Sequence, residues 1–276
     1  MTNLLIIAWK EIQEGLRNRW VIATTLLLAA LALTLTFLGS APTGHVGVQA
    51  LDVVIVSLSS LSIFLLPLIA LLLSHDAIVG EAERGTMILL LSYPISRKQV
   101  IAGKFIGHVG ILAFATILGY GAAALALSFS GHQIGGESWK AFALMIATSI
   151  TLGAAFIALG YLISTLVSER ATAAGIAVGV WLFFVLIYDM ALLGILVADQ
   201  GKTISGGFLN TLLLLNPTDT YRLLNLTGSA NVGSLSGMAG LSSQISLGMA
   251  SLFGTLTLWI LVPMTLATAI FSRREL

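Results

Sequence analysis

The sequence predicts an all-α integral membrane protein with six transmembrane helices, and three observations carry that prediction. Of 276 residues, 57% are hydrophobic and 9% charged, with a mean hydropathy of +1.01, whereas a soluble domain carries about 25% charged residues. The apolar residues gather into six runs, each long enough to supply the roughly 20 helical residues that cross a hydrocarbon core about 30 Å thick. These runs are unbroken rather than alternating in polarity, so each satisfies its backbone groups as a helix and not as a barrel strand.

The first element is expected over residues 3–19. Leu5, Trp9, Ile12 and Leu16 recur there at helical spacing, opposite Lys10, Glu11, Gln13, Glu14 and Arg17. That pattern predicts an amphipathic helix lying along the membrane interface, with Trp9 and Trp20 at the boundary. Spans follow at 20–38, 52–74, 105–130, 141–167, 171–198 and 249–271. A charged segment precedes the first of them, and Gly39-Ser40-Ala41-Pro42 is not a clean cleavage site, so it reads as a permanent span. With no internal repeat and no low-complexity segment, residues 1–276 read as one membrane domain.

Six spans place both termini on one side. Lys10, Arg17, Arg19, Arg84, Arg97, Lys98, Lys104, Arg170, Arg273 and Arg274 share that side, against Lys140, Lys202 and Arg222 on the other. The positive-inside rule makes the termini cytoplasmic. Segment 75–104 is then a cytoplasmic loop and 199–248 a long outer one. The formal net charge of +1 carries no signal for nucleic acid, and the absence of cysteine removes disulfides, thiolate metal sites and thiol nucleophiles together.

The cytoplasmic loop is the most informative stretch. Charge clusters at Glu81, Glu83 and Arg84, and Gly85-Thr86 opens a short apolar helix. Pro94 stops that helix, and Ser96 with Gln99 forms a capping box that starts the next one. A short rod with an apolar face at Met87, Leu90 and Leu91, flanked by Glu81, Glu83, Arg84 and Arg97, suits docking into a protein groove and passing on a rigid-body push.

The order Glu-x-Glu-x-Gly-Thr, Leu-Leu-Ser-x-Pro-Ile-Ser-Arg and Gly-Lys resembles the cytoplasmic loop of ABC-2 transporter permeases, and residues 9–19 resemble that family's elbow helix. The resemblance covers the whole chain and implies an exporter-like, type V permease fold in a bacterial inner membrane. It assigns Glu81, Glu83, Arg84, Gly85, Thr86, Met87, Leu90, Leu91, Pro94 and Arg97 to coupling with an ATPase. It further implies two copies of that cytoplasmic subunit, which uses ATP and Mg, a second copy of this chain, and no cofactor or catalytic residue here. Over 9–20, 81–97 and 216–222 the chain is also similar to permeases of transporters that mature nitrous-oxide reductase. That similarity implies a periplasmic accessory protein and export of cargo, a sulfur species, for copper-centre assembly. Force transmission to the accessory protein without cargo crossing is the alternative.

Other motifs are read against these expectations. Gly201-Lys202-Thr203 resembles the end of a phosphate loop, but the required earlier glycine is Leu196. His45, His75, His108 and His132 are scattered and Met145, Met190, Met249 and Met264 occur singly, so no metal-ligand ladder is read. Asp189, beside Tyr188, is the only carboxylate well inside a run, which suits either a pathway or a hydrogen-bonded structural role. An ion-coupled carrier would need more buried acids and a repeated topology, and a membrane hydrolase would need a constellation such as His-Glu-x-x-His. Gly103 with Gly107, and Gly175 with Gly179, would permit close helix contacts, and Pro67 and Pro263 would bend their helices. In the outer segment, Asn216-Pro217 separates two short amphipathic stretches expected on the membrane surface or capping a dimer, followed by a Gly/Ser-rich connection over 228–240.

Overall fold

The computed structural model describes residues 3–38, 50–129, 135–199, 206–227 and 247–274. The 228–240 connection, the Gly201-Lys202-Thr203 motif, His45 and His132 lie outside them. All regular elements among the described residues are helical. Five runs have the length and apolarity to cross a membrane: Leu51–Glu83, Arg97–Phe129, Gly136–Leu166, Arg170–Asp199 and Met249–Arg273. A sixth candidate is the pair α1 (Asn3–Arg17) and α2 (Arg19–Leu38), bent by 68° between them.

Helix α3 (Ala50–Ser74) leads through a turn into α4 (Val79–Glu83) and α5 (Thr86–Leu91). Gly85 separates the last two at φ 72°, a left-handed conformation that costs other residues about 1–2 kcal/mol. It closes α4 as a C-terminal glycine, its N–H donating to the Ala82 carbonyl at 3.0 Å. The expected capping box is present: Ser96 N–H donates to Gln99 Oε1 at 3.0 Å, and Gln99 N–H to Ser96 Oγ at 3.3 Å. It starts α6 (Arg97–Phe129) eight residues before the expected span at 105, because the helix continues beyond its apolar run into the loop.

Helix α7 (Gly136–Leu166) is the centre of the bundle and packs against α3, α6, α11 (Pro217–Thr227) and α12 (Met249–Arg273). At one end of the bundle, Leu71, Ile78, Val79, Met87, Ile101, Phe156, Tyr161 and Phe271 form part of a core shared by the loop and the helices it joins. Towards the other end, Leu28, Ala32, Leu58, Leu66, Tyr120 and Met145 form a second core. Helix α8 (Arg170–Leu182) and α9 (Tyr188–Asp199), joined by a π turn at Phe183–Ile187, stand at the edge with few buried side chains.

The largest departure from the sequence reading concerns α10 (Gly206–Leu214) and α11 (Pro217–Thr227). These stretches were expected at a surface, yet α11 is inserted between α7, α12 (Met249–Arg273) and α3. Asn216, Thr218, Asp219, Thr220 and Tyr221 are buried. Their polarity is answered by partners rather than by water. Tyr221 OH pairs with Ser149 Oγ at 2.9 Å, Asn225 Nδ2 donates to Thr148 Oγ1 at 3.2 Å, and Asn216 Nδ2 donates to the Phe184 carbonyl at 3.0 Å.

Candidate functional site

The loop head between α3 and α6 brings together charges from four helices, α1, α4, α6 and α8, and from the turn after α3. Lys104 on α6 lies 4% exposed, with its Nζ 2.8 Å from Glu11 Oε1 on α1 and 2.7 Å from Glu81 Oε1 on α4. Burial alone would raise the Glu11 pKa, but the Lys104 ammonium, with His108 and Lys10, outweighs it and holds the carboxyl below the usual range. His108, one turn along α6, places Nε2 3.7 Å from Glu11 Oε2, while its Nδ1 pairs with Tyr161 OH on α7 at 2.8 Å. The α4 N-terminus is held from α7 by Ser164, whose Oγ accepts the N–H groups of Ile78 and Val79, both at 3.0 Å. Arg170, the first residue of α8, donates from Nη2 to Asp76 Oδ2 at 2.6 Å and from its N–H to Glu83 Oε1 at 3.4 Å.

The residues expected to form one docking rod divide into two groups. Met87 is buried, and Leu90 and Leu91 pack against the core, so these three seat α5 on the bundle. The outward apolar face consists instead of Ile88 (61% exposed), Leu89 (67%) and Tyr93 (65%), bordered by exposed Glu83, Arg84 and Thr86. Arg97 is turned away from that face. Its Nη1 donates to the Phe271 carbonyl at 2.8 Å and the Arg274 carbonyl at 2.5 Å, and its guanidinium lies over the Phe271 ring, so it caps the end of α12. Pro94 presents its carbonyl to Asn3 Nδ2 at 3.3 Å, and Thr86 Oγ1 donates to the Glu81 carbonyl at 3.2 Å.

At the opposite end, Asp189 is tied down. Arg222 Nη2 donates to its Oδ2 at 2.7 Å, while Arg222 Nη1 donates to Asp219 Oδ1 at 2.5 Å. Burial pushes Asp219 up to about 7, helped by the neighbouring Asp189 carboxylate and opposed by Arg222. Tyr188 OH donates to the Leu212 carbonyl at 2.7 Å. A π turn loosens the regular helical ladder, and it is within this one that the Phe184 carbonyl accepts Asn216. Asp189 and Tyr188 thus belong to a latch joining the α8–α9 span to α10 and α11.

Lys104, Glu11, His108, Asp76, Arg170, Asn216, Asp219 and Arg222 were not singled out from the sequence for these roles. One signal was available: Gly103-Lys104 and Gly107-His108 place two titratable groups beside two small residues at helical spacing. The glycines have a physical use. A Cβ on Gly103 would lie 3.0 Å from the Leu4 carbonyl oxygen, and one on Gly107 3.1 Å from that of Ala8, so this pair seats α1 on α6 within one chain. Gly175 and Gly179 have nothing within 4 Å of such an atom.

Comparison with known proteins matches residues 5–276 to the family model described as "ABC-2 family transporter protein". The chain is 47% identical over 276 residues to a probable ABC transporter permease protein NosY of Stutzerimonas stutzeri, covering 99% of each chain. It is 46% identical over 271 residues to a protein of the same description in Pseudomonas aeruginosa, covering 98% of each.

Proposed function

The chain belongs to the ABC-2 family of transporter permeases, and we propose that it couples to its ATPase through the outward face of α5. Membership makes it a permease subunit in the inner membrane working with a separate ATPase. The observation that carries the docking reading is the exposed apolar patch of Ile88 and Leu89 on α5 with Tyr93 just beyond its end, beside charged neighbours, on a short helix seated by Met87, Leu90 and Leu91. An apolar anchor with a polar rim is the composition of a protein docking surface. Glu83, Arg84 and Thr86 supply that rim. Glu81, Gly85, Pro94 and Arg97 fix the height and angle of the helix rather than meeting the partner.

In this reading the termini and loop are cytoplasmic, two ATPase copies serve two permease copies, and ATP and Mg are used by the ATPase alone. For cargo, the reading is export of a sulfur species that supports copper-centre assembly in nitrous-oxide reductase, with a periplasmic accessory protein receiving it. The likeness to the two NosY permeases supports this. A second reading, force transmission to the accessory protein without cargo crossing, is favoured by pairs of buried hydroxyls between the helices of the bundle. There Ser62 Oγ pairs with Tyr120 OH at 2.6 Å and Ser149 Oγ with Tyr221 OH at 2.9 Å, so the buried hydroxyls hold one another. Uptake of labelled sulfide-derived species into inverted vesicles separates the two.

The docking surface is tested by Leu89→Glu. A tagged wild-type permease is expected to retain the ATPase through purification, and Leu89→Glu to retain at least tenfold less while eluting as a folded membrane protein. Equal retention by the variant would defeat the assignment.

A further inference from the structure

We infer that Lys104 is the post that joins the loop head to α1, so that α1, α4, α5 and the start of α6 move as one lever. The inference rests on the docking reading above, since that reading supplies the push. Lys104 accepts no relative motion of its two partners cheaply. Its side chain is only 5% exposed, and its ammonium is shared between Glu11 Oε1 at 2.8 Å and Glu81 Oε1 at 2.7 Å, from two helices that do not otherwise follow one another in the chain. Apolar side chains can slide past one another with little penalty, whereas withdrawing either carboxylate leaves a buried charge without its counter-ion. Glu81 already has its other oxygen, Oε2, buried without a hydrogen-bond partner, which leaves Lys104 as its anchor.

The backbone closes the other direction of escape. Gly103 and Gly107 flank Lys104 and hold α1 so close that an added Cβ would lie 2.8 Å from Ile7 Cβ and 2.5 Å from Glu11 Cβ respectively. Helix α1 is therefore keyed along α6 as well as tied across it. The second ionic tie of the loop head, Asp76 to Arg170, is more open, with side-chain exposures of 28% and 44%. A salt bridge so exposed holds its partners weakly. Displacement of α5 is then delivered to α1 and α6 in preference to α8. Lys104 acts in this scheme as a positioning residue, touching neither nucleotide nor cargo.

The test uses the permease–ATPase complex, with spin labels at Gln13→Cys on α1 and Ser92→Cys at the end of α5, both exposed in a chain that has no cysteine. Pulsed dipolar spectroscopy measures the distance without nucleotide and after trapping with ATP, Mg and vanadate. One lever requires the wild-type distance to agree between states within about 2 Å, the scale of shifts between packed helices. The volume-matched variant Glu11→Gln/Lys104→Met/Glu81→Gln is expected to keep the ATPase but show a nucleotide-dependent distance, and Lys104→Arg to restore the wild-type result. A wild-type distance that changes with nucleotide, or a neutral variant that behaves as wild type, overturns the inference. If the neutral variant does not fold, the wild-type measurement still decides. Failure of the wild-type chain to retain the ATPase would instead remove the docking reading.

Discussion

Replacing Arg222 with methionine is expected to destabilise the folded permease by about 1–3 kcal/mol at pH 8, the cost of leaving the buried Asp219 carboxylate without its charged donor in a partly buried cluster. Among the described residues, Arg222 is the only cation within salt-bridge distance of Asp189 and Asp219. Without it the two carboxylates face each other at the junction of the α8–α9 span and α11. The effect carries a pH signature whose sign follows from Asp219. Its folded pKa of about 7 lies above the ordinary 3.8, so between those values the native state binds a proton that the unfolded state has released. Stability therefore falls as pH rises through that window, and the contribution is fully present only below it. Arg222→Met removes the group that pulls Asp219 down, which extends the fall to higher pH and makes the penalty smaller at pH 5. Asp219→Asn should flatten the profile. Thermal unfolding of the purified complex followed across pH measures all three.

Gly160→Leu is expected to abolish recovery of folded protein. A Cβ at this position would sit 2.0 Å from Ser74 Oγ and 3.0 Å from Ser74 Cβ. Ser74 has no room to yield: it is buried, and its hydroxyl donates to the Ala70 carbonyl at 2.7 Å. Relief requires the end of α3 to move off α7, at the point where the loop head begins. Overpacking of a tight core costs about 1–3 kcal/mol even for added methylenes, and a leucine here adds a whole side chain against backbone. Gly175→Leu is the control, because nothing lies within 4 Å of its Cβ position, and it should leave the fold of the single chain intact. Monodisperse elution of each variant from detergent extracts provides the readout.

The sequence makes some of this plain and conceals the rest for identifiable reasons. The six apolar runs, the capping box at Ser96 and Gln99, and the break at Pro94 are local patterns, and local patterns survive in the fold. Which face of α5 points outward is not local. Ile88, Leu89, Met87, Leu90 and Leu91 are similarly apolar, and periodicity does not distinguish a face that seats a helix from one left open to a partner. Helix α11 misleads for the opposite reason. Its Asn, Thr, Asp and Arg residues read as solvated, and only the tertiary partners Ser149, Thr148, Asp189 and the Phe184 carbonyl allow it to be buried. The Lys104 cluster draws one member from each of three segments, and a single sequence contains no record of that meeting.

The most direct measurement is photocrosslinking from a benzophenone side chain placed at Leu89, compared with one at Leu193 on α9, which is equally exposed but lies within a span. In an ATP-hydrolysing complex, docking through α5 requires the Leu89 probe to form an adduct with the ATPase and the Leu193 probe to form none. A complex that hydrolyses ATP normally while the Leu89 probe reaches only lipid or detergent would contradict it.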